Sequence, residues 1–148
     1  MNKFFKITSR KETIDLGEKL GKLAFPNMLI TMNGDLGAGK TTMTKGIAKG
    51  LDIDAIINSP TFTIMKIHEG RYTLYHLDVY RITNSNDDFE LEEYFENDGV
   101  CVIEWAEQIK DLIPENRLDI IIKDLGDEER MIEIISNGKS YDEVLKQL

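Results

Sequence analysis

The sequence is short of three things. Cysteine is the first. Cys101 is the only one in 148 residues, so the chain has no internal disulfide and no thiolate zinc site. That suits a reducing compartment. Positive charge is the second. Eighteen Lys and Arg stand against 27 Asp and Glu, a formal net charge of −9. Such a surface repels phosphate backbones, so binding of RNA or DNA by this chain alone is not expected. A small phosphate ligand remains possible, because local geometry outweighs net charge there. Long apolar runs are the third. No stretch approaches the ~18 residues of a spanning helix, and the first twenty residues hold no apolar run of the signal-peptide kind. A cytoplasmic protein with no membrane segment is expected.

What is present reads as one domain over residues 1–148, with 41% hydrophobic residues and no repeat or low-complexity tract. Lys3 to Thr8 reads as a strand. Ser9 with Glu12 fits a capping box, opening a helix to about Ala24 whose core face is Leu16, Leu20 and Leu23. Met28 to Met32 is a short apolar run of the buried-strand type, and a helix follows to about Leu51. Thr61 to His68 and Tyr72 to Asp78 flank Glu69-Gly70-Arg71 as a hairpin. Asp87 to Phe95 reads as an acidic helix, and Val100 to Ile103 as a second buried strand. Arg117 to Leu125 and Arg130 to Ser136 form a hairpin around Gly126-Asp127-Glu128. Ser140 with Glu143 reads as the cap of a last helix. Hairpins set among parallel-type strands predict an α/β layered fold, with a mixed parallel and antiparallel sheet flanked by helices.

The strongest chemical signal is Gly34-Asp35-Leu36-Gly37-Ala38-Gly39-Lys40-Thr41-Thr42. It matches the Walker A pattern, G-x-x-x-x-G-K-[ST], between an apolar strand and a helix. Glycines permit positive φ and let phosphate oxygens reach backbone N–H groups. Lys40 brings a cation to the β- and γ-phosphates, and the Thr41 hydroxyl can ligate Mg²⁺. The following helix adds the positive end of its dipole. A P-loop NTPase-like fold is therefore expected. ATP is expected against Asp35, Leu36, Gly37, Ala38, Gly39, Lys40, Thr41 and Thr42.

Phosphoryl transfer also needs carboxylates. Glu104 ends the strand Val100 to Ile103, where a Walker B acid would sit; the alternative is an ordinary strand-end Glu at the surface. In His76-Leu77-Asp78-Val79-Tyr80-Arg81, a strand puts His76, Asp78 and Tyr80 on one face. Asp78 can serve Mg²⁺ through water or orient a hydrolytic water, and a structural hydrogen-bond network is the alternative. His76 alone reads as structural, and His68 as incidental. In Ser59-Pro60-Thr61-Phe62-Thr63, Thr61 can follow the γ-phosphate or its metal, or simply start a strand. The candidate catalytic residues are thus Asp78, Glu104 and Lys40. The candidate Mg²⁺ ligands are Thr41, Glu104 and Asp78, and Thr61 joins the nucleotide set.

In this order, the loop, Ser59-Pro60-Thr61-Phe62, His76-x-Asp78-x-Tyr80-Arg81 and Ile103-Glu104-Trp105-Ala106-Glu107 resemble the TsaE (YjeE-like) ATPases of bacteria. The resemblance spans nearly the whole chain, with Arg117 and Arg130 included. It implies an ATPase required for threonylcarbamoyladenosine next to the anticodon of tRNA. It further implies that the ATPase acts on a complex of TsaD and TsaB, which carry the group transfer, and reaches tRNA only through them. By motif, Thr61 and Asp78 would form a switch-like region, Glu104 would be the Walker B acid and Trp105 would lie near the nucleotide. The main alternative, a small-molecule P-loop kinase, wants a lid with clamping arginines. Here Arg71, Arg81, Arg117 and Arg130 are scattered. A GTP switch wants Asn-Lys-x-Asp, and the nearest approach, Asn116-Arg117-Leu118-Asp119, opens a predicted strand instead of closing one.

Overall fold

The computed structural model describes residues 1–35, 37–55, 57–58, 65–79 and 98–148, with Gln108 described by its backbone only. Leu36, Thr61 and the acidic helix expected over Asp87 to Phe95 lie outside the described residues. Among the described residues, seven strands form one sheet: β1 (Asn2–Ile7), β2 (Met28–Asn33), β3 (Met65–His68), β4 (Leu74–Asp78), β5 (Val100–Glu104), β6 (Arg117–Gly126) and β7 (Glu129–Asn137). Among the described residues, three α-helices accompany them: α1 (Arg10–Lys22), α2 (Lys40–Gly50) and α3 (Lys139–Lys146). A kinked 3₁₀ stretch covers Ala106–Leu112.

The sheet order is β1-β7-β6-β2-β5-β4-β3. The middle four strands, β6, β2, β5 and β4, run parallel, and antiparallel partners flank them on both sides. The mixed sheet expected from the sequence is therefore present. β2 and β5 are buried on both faces, which is why they read as unbroken apolar runs. Met28, Ile30, Met32, Val100 and Val102 pack with Leu16, Leu20, Met43 and Ile47 of α1 and α2. The alternate residues Leu29, Cys101 and Ile103 pack with Ala106 and Ile109 of the 3₁₀ stretch on the other face.

α1 and α2 touch backbone to backbone. Gly17 and Gly21 face Gly46 and Gly50, and a Cβ on any of the four would lie within 2.4 Å of a carbonyl oxygen of the facing helix. Arg71, in the turn between β3 and β4, closes this pair. Its Nη2 donates to Gly21 O at 2.7 Å and to Gly50 O at 3.3 Å, carbonyls in the last turns of the two helices.

Two caps differ in detail from expectation. Ser9 Oγ does accept from Glu12 N at 3.3 Å, but the Glu12 carboxylate reaches back to Thr8 N instead of Ser9 N. For α3 the expected cap is corrected: Ser140 lies inside the helix, and the N-cap is Gly138, with φ 116° and no side-chain capping bond. Ser136, on β7, donates its hydroxyl to Asp142 in the first turn of α3. A tertiary contact has replaced the local box.

Candidate functional site

β2 ends at Asn33 and α2 begins at Lys40, so the glycine loop joins a buried strand to a helix at the carboxyl end of the parallel strands. Such ends are where ligands bind in open α/β sheets. Gly37 (φ 80°) and Gly39 (φ 111°) take left-handed backbone that a side chain would strain. Gly39 is the N-cap and offers no side-chain bond. The first-turn N–H groups of α2 are thus left to an anion and aligned with the helix dipole.

Lys40 is buried, 6% exposed. Its Nζ donates to Gly34 O at 2.5 Å and stands 3.7 Å from the centroid of the Trp105 ring, a cation–π contact. Trp105 holds left-handed backbone (φ 61°), and its N–H donates to Met32 O at 3.1 Å, which ties the end of β5 to the end of β2. Burial pushes the Lys40 ammonium below its ordinary pKa; Glu104, Asp78 and Asp35, in that order, pull it back up. Both carboxylates singled out from sequence, Glu104 and Asp78, therefore act on the loop lysine, and the loop's own Asp35 joins them.

Glu104 and Asp78 end neighbouring parallel strands and are direct partners in register. Glu104 is 2% exposed, which excludes the surface-residue alternative. It pairs with His76, whose Nε2 is 2.7 Å from Glu104 Oε2. Thr41 is half-buried in the first turn of α2. Hydroxyl and carboxylate oxygens suit a hard divalent cation, and Mg²⁺ normally completes such a set with phosphate and water. Among the described residues, no group of three or more His, Cys, Asp and Glu stands ready to hold a metal unaided.

From sequence, Arg130 is open to two readings, a residue that helps hold the nucleotide or a surface charge on a hairpin. It comes from β7 and straps the loop. Nε donates to Ala38 O at 2.6 Å and Nη2 to Gly37 O at 3.4 Å, while Nη1 is held by Asp124, Asp127 O and Glu129 O. A cavity of about 110 Å³ opens beside it, lined by Arg10, Thr13, Gly37, Gly39, Thr42 and Arg130 together with Glu128. Nothing in the local sequence points to Arg10 or Thr13. Asp119, the nearest approach to a guanine-reading aspartate, is engaged elsewhere: it accepts from Thr31, Arg117 and Asn137.

This strand–glycine loop–helix, with a lysine buried at the carboxyl ends of parallel strands, defines an α/β protein of the P-loop type. Comparison narrows the class. The family model for "Threonylcarbamoyl adenosine biosynthesis protein TsaE" matches residues 7–132, and the chain belongs to that family. It is 46% identical over 139 residues to the Bacillus subtilis tRNA threonylcarbamoyladenosine biosynthesis protein TsaE, covering 93% of this chain and 88% of that protein. The Treponema pallidum protein of the same name is 40% identical over 128 residues, covering 85% of this chain and 95% of the relative. The crystal structure of Bacillus subtilis YdiB superposes with a TM-score of 0.89 at 38% identity, covering 99% of this chain and 93% of that one. The family's role is in threonylcarbamoyladenosine biosynthesis. No helix among the described residues is long and apolar enough to cross a membrane.

Proposed function

We propose that this chain is a Mg²⁺-dependent ATPase of threonylcarbamoyladenosine formation in tRNA, working in the cytoplasm on a TsaD–TsaB complex and not transferring the group itself. The observation that carries the reading is Lys40. It is buried in a phosphate-type loop and acted on by Glu104 and Asp78 from the two adjoining strand ends. A buried ammonium among carboxylates, under uncapped helix N–H groups, suits a polyanion such as a triphosphate.

In this reading the loop amides and Lys40 bind the phosphates, with Lys40 exchanging its Gly34 carbonyl for phosphate oxygens. Thr41, Glu104 and Asp78 would hold Mg²⁺, which when bound neutralises charge on the β- and γ-phosphates. The Glu104 carboxylate, an acceptor only, orients the attacking water. Arg130 keeps the loop shaped. The net charge of −9 fits a protein that meets tRNA only through partners.

The test is ATP hydrolysis at fixed Mg²⁺ while TsaD–TsaB complex is titrated in. The rate should rise and saturate, and Glu104→Ala should lower it by about 100-fold or more. A flat rate, with no association in the same samples, refutes the reading.

A further inference from the structure

Glu104 is nearly sealed from solvent, and a buried carboxylate is costly unless donors meet it. His76 supplies one. It is itself 0% exposed, and it lies on β4 two residues before Asp78, so the two side chains share a face. Since Asp78 is the register partner of Glu104 on β5, His76 sits diagonally behind the acid, away from the strand end. An ionised carboxylate can only accept, and against that form of Glu104 it is Nε2 that carries the proton. His76 Nδ1 has no partner among the described residues. A proton there would be a buried donor with nothing to receive it, which favours the same tautomer.

We infer that His76 is a positioning residue: its Nε2–H holds Oε2 of Glu104, turning the carboxylate toward Lys40 and the phosphate loop and leaving Oε1 for the reaction. This rests on the ATPase reading above. A histidine that merely stabilises the sheet would, once replaced, cost stability and leave turnover intact. A positioning histidine costs turnover in a chain that still folds and still binds nucleotide.

Three variants of the full chain separate these roles: His76→Leu lacks a donor, His76→Asn carries an amide too short to reach Glu104, and His76→Gln carries one that reaches. Hydrolysis is measured with Mg²⁺-ATP and saturating TsaD–TsaB complex. His76→Leu and His76→Asn should lose about 10–100-fold in kcat, with KM for ATP within about threefold, and His76→Gln should recover most of the loss. A folded His76→Leu chain with unchanged kcat overturns the inference and leaves the ATPase reading standing. Where the leucine variant does not fold, the Gln and Asn pair decides, and equal kcat in the two overturns it. A wild-type chain with no hydrolysis overturns both together.

Discussion

Replacing Gly46 by alanine acts on the contact that sets the distance between α1 and α2, the helix that follows the glycine loop. The new Cβ would lie 2.2 Å from Ile14 O and 2.9 Å from Gly17 Cα, whereas ordinary contact begins at 3.4 Å. Both neighbours are backbone, so neither can swing away, and the helices must part by about 1 Å. In an isolated helix the same change would gain about 1 kcal/mol. Against that stands overpacking, typically ~1–3 kcal/mol. Parting the helices also loosens contacts among Leu16, Leu20, Met43 and Ile47. With no rotamer to relieve the clash, we take the upper end. The net loss is about 2 kcal/mol, a fall in Tm of roughly 4–8 °C for a chain this size. Urea unfolding followed by circular dichroism, at unchanged m-value, measures it. Lys45→Ala in the same helix should stay within about 0.5 kcal/mol of wild type. Combining Gly17→Ala with Gly46→Ala should cost less than the separate losses added, because the first substitution has already parted the helices. A Gly46→Ala chain as stable as wild type, or more so, refutes the reasoning.

Three further outcomes are expected. Tyr141→Phe removes the hydroxyl that accepts from Leu29 N at 2.8 Å in the interior, and should cost about 1–3 kcal/mol in urea titration; a loss below about 0.5 kcal/mol would contradict this. Arg130→Ala should weaken ADP binding in calorimetry by about tenfold or more. Arg130→Lys should not restore it, because one ammonium cannot reach the oxygens that three guanidinium nitrogens now span. Lys40 starts below its ordinary pKa through burial, and bound phosphate would raise it. Below the free chain's Lys40 pKa the lysine is charged in both states and affinity is full. As pH rises through that pKa, binding must take up a proton and affinity falls. Calorimetry in buffers of different ionisation enthalpy should show this uptake at alkaline pH, and Lys40→Ala should abolish it.

The central sheet was legible because a strand buried on both faces has no polar positions to spare. Met28 to Met32 and Val100 to Ile103 stood out as unbroken apolar runs for that reason. The glycine loop was legible because its glycines, lysine and threonine stand at fixed spacing between an apolar run and a helix, and Gly37 and Gly39 do carry the positive φ expected of them. The end of the chain was read less well. Ser140 and Glu143 have the spacing of a box, but Ser136 reaches Asp142 from β7 first. Gly17, Gly21, Gly46 and Gly50 show the four-residue spacing of a close helix crossing in the bare sequence, and only the packed structure says that they face one another.

By itself, then, the sequence determined the local chemistry: which residues bend the loop, where its positive charge sits, and which strand ends bear acids. These depend on neighbours a few positions apart, which any reading of the chain can see. The tertiary structure alone decided which distant groups meet. It brought Trp105 to 3.7 Å from the Lys40 ammonium, set His76 behind Glu104, and turned a hairpin arginine into the strap of a loop 92 residues earlier. Sheet order and register fix those meetings, and both follow from burying the whole apolar surface at once.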